Sequence, residues 1–255
     1  MIDIHTHILP GLDDGAQTLS DALEMAELSL ESGVDTLIAT PHSNQLGRFE
    51  NFDISHLTHV WSQLQQALQA ERIPLQLYLG MEIFASDDLC EKIRQKTLIS
   101  LHHSRYYLVE FAFDEAPEYI GDTLDNMVSI GAIPVIAHPE RYFCVQDFPS
   151  LIYHWLQLGC LTQLNKGSVF GKFGRHAQFT AEYLLQHQLI TCIASDAHSP
   201  VMRTTHMGDI IDYLLALYGE HEMIRLLFEN PNRILHDRDI PRHGILPERR
   251  RSLFF

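Results

Sequence analysis

The sequence predicts a parallel α/β barrel. Short strand-type runs alternate with amphipathic helical stretches for most of the chain, and about seven such β/α units follow one another. Strict alternation argues for a parallel sheet, and repetition argues for its closure into a barrel. The length of 255 residues fits one such barrel or two small domains. No linker-like or low-complexity block divides it, so one domain over residues 1–240 is expected, followed by a tail at 241–255.

The elements can be justified in order. Residues 1–4 open as an Ile-rich strand. Thr18 and Asp21 have capping-box spacing, and the helix behind them would present Ala22, Met25, Ala26 and Ser29 on one face until Gly33 stops it. Residues 35–40 (DTLIAT) form a buried-type strand. Leu57, Val60, Trp61, Leu64 and Leu68 recur at helical spacing. Strands follow at 75–79 and 106–110, and then a helix through Ile120, Leu124, Met127 and Val128 ends at Gly131. A strand at 133–137 precedes a helix through Leu151, Ile152, Trp155 and Leu156, which Gly159 stops. Strands at 161–165 and 190–195 flank a helix near 177–186. The end of the domain is helical through Ile210, Tyr213 and Leu214, and again through Ile224 and Leu227. In the tail, Arg249, Arg250 and Arg251 mark either a loose end or a segment docked on a neighbouring subunit. No signal for an oligomeric state stands out.

Composition excludes several classes. The net charge of −15 disfavours non-specific binding to nucleic acid, which rests on cationic contacts to phosphates. No apolar run reaches the roughly 18 residues of a membrane span, so no membrane insertion is expected. The start, Met1-Ile2-Asp3-Ile4-His5, lacks the basic and apolar regions of a signal peptide. Cys90, Cys144, Cys160 and Cys192 stand far apart and read as thiols in a reducing cytoplasm. Cysteine-based catalysis is disfavoured too. Only Cys90 has an arginine a few residues on, Arg94, and it lies in a helical context without a glycine-rich cradle.

Chemistry gathers at the strand ends. His5 and His7 follow the first strand, with Asp14 shortly after; His42 follows the second; Glu82, Glu110 and His138 follow the next three; Asn165, then Asp196 and His198, end the last two. In a β/α barrel these ends share one face, where active sites form. Each residue alone has an ordinary explanation. His42 could be a turn residue after Pro41, Glu82 a helix-start carboxylate, Glu110 a surface acid, His138 a core histidine and Asp196 a helix N-cap. Together they are poorly explained that way, because polar groups following apolar strands cost several kcal/mol if buried without partners. A shared metal cluster would satisfy them jointly. Imidazole and carboxylate without thiolate favours manganese, iron, zinc or magnesium. The nine candidates His5, His7, Asp14, His42, Glu82, Glu110, His138, Asp196 and His198 exceed the need of one ion and suit two or three, with Glu82 the choice for a bridging ligand.

The same residues sit in Asp3-Ile4-His5-Thr6-His7, Asp13-Asp14-Gly15, Ala39-Thr40-Pro41-His42, Gly80-Met81-Glu82-Ile83, Val109-Glu110-Phe111, Ile136-Ala137-His138-Pro139-Glu140-Arg141-Tyr142 and Ala194-Ser195-Asp196-Ala197-His198. In order and spacing, over roughly residues 1–235, these blocks resemble the PHP (polymerase and histidinol phosphatase) family. The resemblance is greatest to its bacterial protein-tyrosine phosphatase branch, associated with capsule and exopolysaccharide synthesis. The resemblance implies a distorted seven-stranded barrel, a trinuclear manganese or iron site on the nine residues above, and phosphate-binding arginines at Arg141 and Arg203. The loop after His42, Ser43-Asn44-Gln45-Leu46-Gly47-Arg48, departs from a more basic form in some relatives, with Arg48 as a substitute contact. The implied reaction is metal-assisted hydrolysis of a phosphotyrosine monoester, with Asp14 or water protonating the leaving group. The implied partner is the tyrosine-rich tail of a bacterial tyrosine kinase. Three alternatives stand beside it: a small-metabolite phosphatase of histidinol-phosphatase type, a metal-dependent nuclease, phosphodiesterase or amidohydrolase-type enzyme, and a degenerate metal-binding module without turnover.

Overall fold

The computed structural model describes residues 1–241; the arginine-rich tail at 247–255 lies outside the described residues. Its strands are β1 (Ile2–Thr6), β2 (Thr36–Ala39), β3 (His42–Ser43), β4 (Gln76–Leu79), β5 (Glu82–Phe84), β6 (Tyr106–Glu110), β7 (Ile133–Ala137), β8 (Leu161–Asn165) and β9 (Cys192–Ala194). Every pairing between them is parallel. They form a sheet ordered β1-β2-β4 and a second ordered β3-β5-β6-β7-β8-β9.

Two seams join these sheets. Only Thr40-Pro41 separates β2 from β3, and only Gly80-Met81 separates β4 from β5. Proline cannot donate to a ladder, so the pairing breaks there. Gly80 N donates to Ala39 O at 2.8 Å and Glu82 N to Pro41 O at 3.1 Å, which carries the chain across the break. At the other seam Asp196 N donates to His5 O (3.0 Å), His7 N donates to Ala197 O (2.9 Å), and Thr6 bridges Ala197 in parallel. With β2/β3 and β4/β5 each taken as one interrupted strand, the nine strands make a ring of seven positions.

The connecting helices form where the spacing predicts. Helix Leu19–Glu31 has the Thr18–Asp21 capping box in place and buries Ala22, Met25, Ala26 and Ser29. Helix Ile54–Ala70 is capped by Asp53 and buries Leu57, Val60, Leu64 and Leu68. Helices Pro117–Ser129, Ser150–Leu158, Arg175–Gln186 and Gly208–Leu217 complete the outer layer. Among the described residues no helix is long and apolar enough to cross a membrane.

Core residues divide between the two faces of the sheet. Leu37, Leu77, Val109, Ile136, Leu164 and Ile193 pack with the helices. Ile4, Tyr106, Leu108, Val135, Ala137, Cys192 and Ala194 form a second cluster on the other face. Side chains two apart point the same way on a strand. Tyr106 and Leu108 therefore share a face with Glu110, and Leu161 shares one with Gln163 and Asn165. Apolar residues floor the ring, and the same faces turn polar at the C-terminal strand ends.

The strand expected at 75–79 is β4, which stops at Leu79, and Glu82, expected to follow it, starts a further short strand, β5. The first strand extends beyond its expected end, so His5 lies within β1.

Candidate metal centre

Four imidazoles and two carboxylates converge on one point above the apolar floor. His5 Nε2 and His7 Nε2 lie 3.2 Å apart. Each is 3.2 Å from Glu82 Oε2 and 3.4 Å from Asp196 Oδ1. His42 Nδ1 is 2.9 Å from the same Glu82 oxygen, while the other oxygen, Oε1, faces His138 Nε2 at 2.9 Å. Glu110 Oε2 lies 3.6 Å from His138 Nε2 and 3.9 Å from His42 Nδ1. Nearer the mouth, Asp14 Oδ1 is 3.4 Å from His42 Nε2 and 3.5 Å from His198 Nε2. Three overlapping groups have the compactness of cation sites: His5-His7-Asp196, His42-Glu82-Glu110 and His7-Asp14-His42-His198. Eight of the nine candidates fall in them, and His138 stands beside them on Glu82 and Glu110.

The arrangement fits cations. His7 Nδ1 donates to Asp13 Oδ2 (2.7 Å) and His5 Nδ1 donates to Gln163 Oε1 (2.8 Å). With those protons committed, the Nε2 lone pairs of both rings point at each other in a fully buried space. Glu82 Oε2 lies within 3.2 Å of three ring nitrogens and makes no hydrogen bond. Buried nitrogens and carboxylate oxygens this close call for positive charge between them, supplied by protons or by cations.

Several supporting residues escaped the sequence reading. Asp13 holds His7 and also accepts from Gly15 N and His42 N. Gln163 holds His5, accepts from His138 N and donates to Asn165 Oδ1. Asn165 Nδ2 donates to Asp196 Oδ2 at 2.5 Å, so this strand-end amide orients a candidate ligand. Gln45 Nε2 donates to Glu110 Oε1. The available signal was period two: Gln163 and Asn165 alternate along β8 toward the same face.

Electrostatics divide the groups. Burial opposes ionisation of Glu82 and Asp196, but His5 and His42 outweigh it at Glu82, and His5 and Arg203 do so at Asp196. Both carboxyls are held well below the usual range. Glu110 moves up, through burial and then the neighbouring Glu82. Burial lowers each ring, yet Asp13 carries His7 well above its ordinary value, and Glu82 raises His42. Glu110 and Glu82 push His138 up to about 9. Burial and His7 push His198 down to about 3. Bound cations would replace these protons.

Three site residues also carry left-handed backbone geometry. His138, Asp196 and Arg203 have φ of 32°, 50° and 54°. Such left-handed geometry is uncommon outside glycine and gathers at functional sites.

The centre opens into a cavity of about 650 Å³ lined by Asp14, His42, Glu110, His138, Asp196 and His198 together with Arg48, Arg141 and Arg203. All three sequence-selected arginines therefore reach the site. Arg203 Nη2 pairs closely with Asp196 Oδ2, and Arg141 Nη1 lies 3.7 Å from the same oxygen. The Arg141 guanidinium is 4.3 Å from the Phe113 ring and 4.4 Å from the Phe173 ring. Arg48 lies 3.5 Å from Asp14.

A sequence profile described as capsular polysaccharide synthesis, CpsB/CapC, matches residues 1–236. The chain belongs to the CpsB/CapC family. Tyrosine-protein phosphatase YwqE of Bacillus subtilis (strain 168) is 37% identical to it over 254 residues, 100% of this chain and 99% of that protein. Tyrosine-protein phosphatase CpsB of Streptococcus pneumoniae is 30% identical over 242 residues, 93% and 99% of the two chains. A solved structure from work on YwqE and CpsB, described there as unique metal-dependent tyrosine phosphatases, superposes with a TM-score of 0.90 at 35% identity. It covers 98% of this chain and 100% of its own. The CpsB/CapC fold thus extends over nearly the whole chain.

Proposed function

We propose that this CpsB/CapC chain is a metal-dependent protein-tyrosine phosphatase. Its substrate is a phosphotyrosine protein, with a cytoplasmic bacterial tyrosine kinase tail of capsule or exopolysaccharide synthesis as the partner. The observation that carries the reading is the convergence of imidazole and carboxylate lone pairs on Glu82, beneath a cavity walled by arginines. The names of YwqE and CpsB point the same way. His5, His7, Asp14, His42, Glu82, Glu110, His138, Asp196 and His198 would hold two or three ions, manganese by preference, with Glu82 the candidate shared ligand. Such ions supply charge for phosphate oxygens and acidify a water that can attack phosphorus.

The side chains do the rest. Arg141 and Arg203 bind the equatorial phosphate oxygens, exchanging their contacts with Asp196 for the substrate. Phe113 and Phe173 hold the plane of the Arg141 fork, so little ordering is needed on binding. Water at the mouth, or Asp14 (43% exposed there) when it is not bound to an ion, would protonate the leaving oxygen. A phenol with pKa near 10 leaves with little help, so this step tolerates loss of the acid. Thiolate chemistry is disfavoured, because burial raises the thiols of Cys90, Cys144 and Cys192.

The test compares manganese-supplied protein on an aryl phosphate, a phosphotyrosine peptide and histidinol phosphate. Turnover should favour the peptide over histidinol phosphate and disappear with chelator. Full activity in metal-free protein, or preference for histidinol phosphate, would sink the reading.

A further inference from the structure

A second cleft of about 340 Å³ adjoins the catalytic cavity, and Phe113 and Arg141 line both. Its remaining wall includes Phe143, Phe173, Arg175 and His176, and no aspartate or glutamate among the described residues lines it. That is unusual placement in a chain with 33 acidic and 18 basic residues. Arg175 is exposed and forms no ion pair among the described residues, so its charge is uncommitted. Phe143 is 56% exposed beside it. Arg175 also opens a helix of 12 residues whose N-cap, Gly174, offers no side-chain cap, which adds to the positive potential of the arginines.

We propose that this cleft is a specificity subsite for a carboxylate-bearing residue flanking the phosphotyrosine. The inference rests on the phosphatase reading. Its basis is charge complementarity and continuity with the reactive cavity. With the phosphate at Arg141, the neighbouring stretch of peptide crosses Phe113 and Phe173 into the cleft. There an Asp or Glu side chain meets Arg175, and the peptide's apolar atoms cover the exposed Phe143 ring. Arg175 acts on substrate selection and takes no part in bond breaking.

The experiment uses the full chain with manganese and two phosphotyrosine peptides. They differ only in flanking acids, which one of them carries as Asn and Gln. An aryl phosphate without a peptide serves as reference. The acidic peptide should have the higher kcat/KM, by roughly three- to tenfold and through KM, with the gap shrinking as salt rises. Arg175→Gln should erase the gap, and Arg175→Glu should reverse it. Turnover of the aryl phosphate should stay the same in both variants. Equal kinetics on the two peptides, or a gap that survives both substitutions, would overturn the subsite alone. Loss of aryl phosphate turnover in the unsubstituted protein would overturn the phosphatase reading and the subsite with it.

Discussion

Glu82 is the residue on which the candidate centre turns. It is fully buried, one oxygen faces His138, and the other faces His5, His7 and His42. Glu82→Gln keeps the shape and removes the charge. We expect the variant to lose bound metal and to drop in turnover by about 10³-fold or more, while keeping a cooperative melt. Elemental analysis alongside kinetics would check this, and a full complement of ions in the variant would refute it. Much of this site was legible in the sequence, because a histidine or acid closing an apolar strand interrupts the hydrophobic pattern. His5, Glu110 and Asp196 announce themselves in that way. Asn165 shows as a strand-end residue but not as a support for Asp196, and Gln163 does not show at all, since a neutral amide breaks no charge pattern and its role depends on the neighbour it meets. Phe173 was beyond reach: it stacks on Arg141 only because the loop before helix Arg175–Gln186 folds back over the residues that follow β7.

At the scale of elements, the turn after β1 places His7 against its neighbours. A Cβ added to Gly15 would sit 2.1 Å from His7 O and 2.4 Å from His7 Cβ. Neither backbone oxygen nor Cβ can yield easily, because Ala16 N already donates to that oxygen. Gly15→Ala should therefore cost about 2 kcal/mol or more in stability and weaken metal binding. Denaturant midpoints and a metal titration would measure both, and unchanged values would show that the turn can relax. The long elements were readable because each supplies several periods of its pattern. Helix Ile54–Ala70 is one case, with four buried positions at helical spacing. Strands β3 and β5 were not, because Pro41 and Gly80 cut them to two and three residues. A run that short has no periodicity to read.

Across the whole molecule, protonation and cations compete for the same buried space. In metal-free protein His7, His42 and His138 have pKa values above the ordinary 6.5, with His138 up to about 9. Groups raised on folding stabilise fully below their unfolded value, and that stability is lost as pH rises through the folded one. His198, lowered to about 3, titrates below this window and leaves it unaffected. The melting temperature of chelated protein should thus fall between pH 6.5 and 9. With manganese the fall should vanish, since ligands bind metal without their protons. Calorimetry at both pH values would decide, and a flat profile for chelated protein would contradict the assignment. The ring of strands adds a mechanical consequence. Its first and last members are joined by backbone hydrogen bonds of His5 and His7 with Asp196 and Ala197, and Ser195 N also donates to Asp3 Oδ1. The atoms that would grip an ion hang from that joint, so an ion held there would act as a clasp between the chain's beginning and its last strand. Releasing it would loosen the hoop at its buckle while the opposite staves stay fastened.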